Sequence, residues 1–142
     1  MVNCEKILNT IFTEGRGHLV KNNITRQLKI TITEKWVYDM IQSQHPNYIL
    51  QQPIVGFKYV VGDFLHWHTD DMYGKGMDMT GGIVLNDDYE GGIFEFEDET
   101  TLDQTPGKAF EMRRDVSHRV TEITKGTRYS LHYRLHKEKK LI

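Results

Sequence analysis

The chain has 142 residues, 38% of them hydrophobic, and a formal net charge of -2, which suits one domain with a buried core and leaves any substrate-binding apparatus to loops. That balance argues against a nucleic-acid or membrane binder held by charge, and the short basic run at 136–140 reads as a solvated terminus. Cys4 is the only cysteine, the start from Met1 to Lys6 is too polar for a signal peptide, and nothing approaches the roughly 20 apolar residues of a membrane span. The expected location is therefore a reducing cytoplasm, with no membrane partner.

In chain order, residues 4–14 place Ile7, Leu8, Ile11 and Phe12 at helical spacing. Residues 33–44 do the same with Trp36, Val37, Met40 and Ile41. Two short amphipathic helices are predicted, the second with Thr33 as its N-cap. Between them, His18 to Thr31 mixes polar and β-branched residues and suits a strand or hairpin. Pro46, Pro53 and Pro106 are expected between elements, as breaks. From Ile54 onward short β-rich runs (54–61, 64–70, 77–85, 92–97, 107–113, 117–123 and 127–135) alternate with Gly and Asp turns, which predicts an all-β sandwich or barrel. Residues 1–53 would be a lead-in and 54–136 the core. On the last strand Arg128, Ser130 and His132 share one face, leaving Tyr129, Leu131, Tyr133 and Leu135 on the other for the helices to cover.

Alternation along a strand also sets His68 and Asp70 on one face, with His118 arriving from a different strand. Two imidazoles and one carboxylate are the ligands of a non-haem iron(II) site with open positions. His66 shares that face but ranks below His68. A turn at Lys125-Gly126 would bring Arg128 onto a strand neighbouring that of His118, facing the same cavity, where a buried guanidinium needs an anion. Gly91 and Gly92 read as a tight strand entry and not a phosphate cradle. Asp71 to Met79, with two glycines, is either a lid or a simple connection. The acidic group Glu95, Glu97, Asp98 and Glu99 would favour a neutral or basic substrate if it bordered the entrance. His18, His45, His132 and His136 have no partner that the sequence identifies.

Taken in order and spacing, Tyr59, Gly62, Trp67-His68-x-Asp70, Tyr89-Glu90-Gly91-Gly92, His118-x-Val120 and Gly126-x-Arg128-x-Ser130 resemble an iron(II)/2-oxoglutarate-dependent dioxygenase of the prolyl 4-hydroxylase-like group. The resemblance covers Tyr59 to Arg134. It implies a mainly β double-stranded β-helix (jelly roll) with two short N-terminal helices packed on the outer face. It implies iron(II) bound by His68, Asp70 and His118, with Arg128 gripping the distal carboxylate of 2-oxoglutarate and Tyr59 and Ser130 hydrogen-bonding the same group. O2 would be the second cosubstrate, succinate and CO2 products, and ascorbate a reductant. The reaction would oxidise, by hydroxylation in the first instance, a C–H bond of a peptide, protein or amino acid.

Two other readings stay open. Arg128-Tyr129-Ser130-Leu131-His132-Tyr133-Arg134 resembles the Arg-x-Asn-x-x-x-Arg stretch of AlkB-type nucleobase dealkylases, with Ser130 in the place of asparagine and a shorter interval from His118 to Arg128. No base-clamping aromatic and basic segment accompanies it, so nucleic acid is not the expected partner. A non-catalytic metal-binding jelly roll would close its metal with a fourth protein ligand and would need no carboxylate-gripping arginine.

Overall fold

The computed structural model describes residues 2–70 and 79–137. The segment read as a lid lies outside the described residues apart from Met79, as does the end of the basic run. The elements are α1 (Cys4–Ile11), β1 (His18–Lys21), β2 (Thr25–Ile32), α2 (Lys35–Gln42), β3 (Tyr48–Tyr59), β4 (Phe64–His68), β5 (Met79–Val84), β6 (Tyr89–Gly91), β7 (Phe94–Phe96), β8 (Ala109–Arg113), β9 (His118–Val120), β10 (Ile123–Gly126) and β11 (Arg128–Lys137). One antiparallel sheet runs β7-β9-β4-β2-β3-β11-β5-β8, with β1 hairpinned onto β2, and β6 pairs with β10 apart from it. The two ends of this path meet: Phe94 of β7 lies 5.6 Å, ring to ring, from Phe110 of β8. The sheet is thus curled into a half-barrel of double-stranded β-helix type, mainly β with two short helices near its start.

The helices form because their apolar residues have a surface to cover. Ile7 and Ile11 of α1 and Val37 and Ile41 of α2 are completely buried in the cluster that also holds Leu131, Tyr133 and Leu135 of β11. This is the face of β11 predicted to lie under the helices. Burying one such aliphatic side chain contributes about 1.5–3 kcal/mol. Asn3 closes the start of α1 by accepting a hydrogen bond from the Lys6 amide at 3.0 Å. At α2 the cap is Glu34, not Thr33, and its side chain makes no capping bond. The physical reason is competition, because both Glu34 carboxylate oxygens accept from the Arg16 guanidinium, at 2.7 and 2.8 Å.

Three further expectations need correction. Pro53 is not a break: β3 starts at Tyr48 and runs through it. The pairing with β11 jumps there from Val55↔His132 to Gln51↔Arg134, an irregularity that absorbs a residue with no N–H to donate. Lys125 and Gly126 are not a turn, since they belong to β10 and pair with Glu90 and Tyr89. Finally, β9 is flanked by β4 and β7 while β11 is flanked by β3 and β5. Arg128 therefore reaches the interior from a part of the curled sheet remote from His118, not from a neighbouring strand.

Candidate active site

His68, the last residue of β4, stands directly opposite His118, the first residue of β9, and their rings are 4.2 Å apart. Asp70 comes to them differently from the expected alternation, because β4 ends at His68. It sits in the bend beyond, fixed by its amide donating to the Arg114 carbonyl at 2.8 Å. The ligand atoms of the three residues all lie within 4.8 Å of one another, with His68 Nε2 3.3 Å and His118 Nε2 3.7 Å from the Asp70 carboxylate.

Backbone geometry orients both imidazoles. Each Nδ1 lies 2.9 Å from the carbonyl two residues upstream, that of His66 or Val116, and donates to it. Each Nε2 is left as the outward-facing nitrogen. The Thr80 hydroxyl donates to the Asp70 carboxylate at 3.0 Å and holds its plane. His118 is completely buried, its ring stacked 5.0 Å from Phe94, and its Nε2 has no hydrogen-bond partner among the described residues. A buried nitrogen lone pair aimed at a carboxylate is costly unless a cation lies between them.

The charge balance agrees with that reading. Burial is the largest single influence on His68 and works against its cation, but the Asp70 hydrogen bond, the His66 carbonyl and the Asp70 charge together outweigh it, and the net shift is upward. Burial likewise opposes ionised Asp70, yet the His68 bond and the neighbouring imidazoles leave its carboxyl below the ordinary range. For His118 burial prevails and lowers the pKa. His68 and Asp70 thus each favour the other's charged form, and a metal ion would answer the Asp70 charge in place of a proton on the imidazole.

Arg128 occupies a second centre. It opens β11 opposite Tyr59 of β3, is 2% exposed, and has its guanidinium 5.3 Å from the Tyr59 ring. Burial pushes the Tyr59 phenol up to about 12, so it remains neutral. The Arg128 contacts are neutral acceptors: Gln104 Oε1 at 3.1 and 2.8 Å and Ser130 Oγ at 3.3 Å. No carboxylate forms an ion pair with it among the described residues. Gln104 is a site residue that the sequence reading missed; it lies in the long β7–β8 loop, where no spacing marks it. Gly92, at φ 62°, is crowded on every side, since a Cβ there would stand 2.5 Å from Ile123 Cδ1 and 3.0 Å from Arg128 Cδ.

Beside the triad lies a cavity of about 380 Å³, with Gln27, Lys29, Phe57 and Arg134 on its walls next to His68 and Asp70. His132 also lines it; burial drives its pKa down to about 4, so it is a neutral wall at physiological pH, a part the sequence reading did not assign. His66 is exposed and stacks near Phe64 at 4.4 Å, outside the cluster. Glu95 is paired with Arg119 at 2.8 Å, and none of the four acidic residues at 95–99 lines the cavity. The condition for a basic substrate is not met there. A larger groove of about 550 Å³, bounded by Phe12, Arg16 and Lys58, shares no residue with the triad.

No protein-family model and no curated protein matches this sequence. Solved structures do match its fold. A viral collagen prolyl hydroxylase of Paramecium bursaria Chlorella virus-1, determined with 2OG, superposes with a TM-score of 0.71 at 13% identity, over 95% of this chain and 90% of that one. An oxidoreductase of the 2OG-Fe(II) oxygenase family from Burkholderia pseudomallei gives 0.70 at 12% identity, over 95% and 78% of the two chains. A Pseudomonas putida prolyl-4-hydroxylase gives 0.66 at 18% identity, over 95% and 82%. At these identities the likeness is one of fold: nearly the whole chain is built as 2OG-Fe(II) oxygenases and prolyl hydroxylases are built.

Proposed function

We propose that the chain is an iron(II)- and 2-oxoglutarate-dependent dioxygenase that oxidises a C–H bond of a peptide, protein or amino-acid substrate. One observation carries this reading. The same interior holds a buried imidazole nitrogen with no partner, facing a carboxylate, and a buried guanidinium with no anion. The first is completed by a cation and the second by a carboxylate-bearing molecule.

His68 Nε2, His118 Nε2 and Asp70 would hold the iron, and three protein ligands leave positions for others. Arg128 would bind the cosubstrate's distal carboxylate, with Tyr59 and Ser130 beside it. The Gln104 amide, which accepts from two of the same guanidinium donors, must yield them. Iron and cosubstrate supply the oxidising chemistry when bound, with succinate and CO2 released. The chain's own work is to orient and exclude. Phe57, Phe94 and Phe110 surround the neutral His132 ring at 5.5, 6.4 and 6.2 Å and keep water from the interior behind the triad.

The test is iron retention and succinate formation by the purified chain with iron(II), 2-oxoglutarate, O2 and ascorbate, supplied with peptide, amino-acid and methylated-oligonucleotide pools. Turnover with peptides or amino acids, lost together with iron retention in Asp70→Ala, is the expected result. Iron held normally by Asp70→Ala but lost in His66→Ala would overturn the ligand assignment. Turnover with the oligonucleotide alone, dependent on Arg134, would replace the substrate reading with base dealkylation.

A further inference from the structure

We propose that the cavity beside the triad takes its substrate by a carboxylate, held by Gln27 and Lys29 of β2; the inference rests on the dioxygenase reading of the same site. Strand alternation puts the two side chains there. Thr25, Gln27 and Lys29 line the cavity, while Leu28, Ile30 and Ile32 belong to the core on the other face.

Gln27 is 4% exposed, and among the described residues its side chain has one hydrogen-bond contact, with the Thr25 hydroxyl 2.8 Å from Oε1. That hydroxyl is also 3.0 Å from the Phe64 carbonyl and has a single proton for two acceptors. Whichever way the Gln27 amide is set, it keeps at least one N–H without a partner. Gln27 lines the cavity, so an acceptor brought by a ligand can take that spare N–H. Lys29, two residues along the same strand face, is half-buried on the same wall and has no ion-pair partner among the described residues. The only carboxylate among the described residues of this lining is Asp70, which faces the two imidazoles.

The wall therefore sets the Gln27 amide beside the Lys29 cation, with Arg134 a further cation on the lining, while its only carboxylate among the described residues is turned to the triad. A carboxylate matches both, with one oxygen accepting from Gln27 and the charge answered by Lys29. Val55, Phe57 and Leu65 make the neighbouring wall apolar, suited to the hydrocarbon that would face the metal ligands. A volume of about 380 Å³ is at the small end of ligand sites. It holds one amino-acid-sized unit, supplied either as a free amino acid or as the C-terminal residue of a peptide.

Calorimetric binding and succinate formation would be measured for the free amino acids against their primary amides, and for short peptides with free against amidated C-termini. Inorganic phosphate would serve as competitor. At least one acid should bind about tenfold or more tightly than its amide. That preference should vanish in Lys29→Met, reverse in Lys29→Glu, weaken in Gln27→Leu and persist in Arg128→Gln. The free-acid and peptide arms tell the two sources apart. Equal binding of acids and amides, a preference that survives both β2 substitutions, a preference lost only with Arg128, or displacement by phosphate in place of carboxylates would each overturn the proposal. Substrate-independent conversion of 2-oxoglutarate to succinate by the wild-type chain reports on the dioxygenase reading separately. Its absence beside a Lys29-dependent acid preference would sink that reading and leave the carboxylate site standing.

Discussion

The two faces of β11 differ in what completes them. On the helix side, Leu131 and Leu135 are fully buried against α1, α2 and the neighbouring strands, and every requirement of these side chains is met by other parts of the chain. On the interior side Arg128 is 2% exposed but has only neutral acceptors among the described residues, and His118 Nε2 has no partner among them. The comparison teaches that burial alone does not mark a finished core. One face is closed by the chain itself; the other keeps buried polar groups that the described residues leave incomplete.

The sharpest way to separate the faces is to delete a side chain from each. Leu131→Ala should destabilise the protein by about 2–5 kcal/mol, because the cavity it leaves is walled by packed side chains. His118→Leu should cost the metal-free chain far less than that, since the lost Nδ1 bond to the Val116 carbonyl is offset by removal of the unpartnered Nε2, while metal binding disappears. Denaturant midpoints with and without iron(II) decide it; a large loss of metal-free stability in His118→Leu would break the comparison.

A smaller effect is expected at the second centre. Arg128→Gln should weaken 2-oxoglutarate binding by about 2 kcal/mol or more, through loss of a charged contact, with little change in iron affinity. Unchanged 2-oxoglutarate affinity in a titration would mean that the buried guanidinium serves some other anion.

The smallest effect belongs to a pair that the chain completes by itself on its surface. Arg16 holds the Glu34 carboxyl below its ordinary pKa, chiefly through the side-chain hydrogen bond, against a smaller opposing effect of burial. Its stabilisation is therefore present above the ordinary carboxylate pKa and is lost as the pH falls through the lowered value. Glu34→Gln should cost under about 1 kcal/mol near neutrality and nothing in strong acid. A pH-independent difference between the two urea midpoints would assign the effect to the helix start and not to the ion pair.

Much of the architecture was readable before any coordinates, because period-2 and period-3.6 patterns report directly on which face is buried. That is why the helices and the two-faced character of β11 were anticipated. The proximity of His68, Asp70 and His118 was anticipated too, though Asp70 arrives through a bend and not through strand alternation. What escaped were the contacts made by residues with no pattern of their own. His45 is 1% exposed, with Nδ1 2.6 Å from Glu111 and Nε2 2.6 Å from the Tyr133 hydroxyl. Those partners lie 66 and 88 residues away, and no local spacing points to them. Gln104 and Gln27 were invisible for the same reason. Thr33 misled because its residue type suits a cap, whereas the cap position falls on Glu34, whose carboxylate is taken by Arg16.

The placement of β11 has a consequence for how the protein comes into being. It is the last strand of the described chain, yet it is inserted between β3 and β5, pairing with both. Until it is synthesised, those two strands are bare edges with unpaired backbone groups, prone to join the wrong neighbour. The same strand delivers Arg128, so the buried guanidinium and the closure of the sheet arrive in one event. A ribosome-bound chain stopped before residue 128 would expose two sticky edges and lack that buried cation. Making β11 thus turns an aggregation hazard into a continuous sheet with a charge fixed inside it.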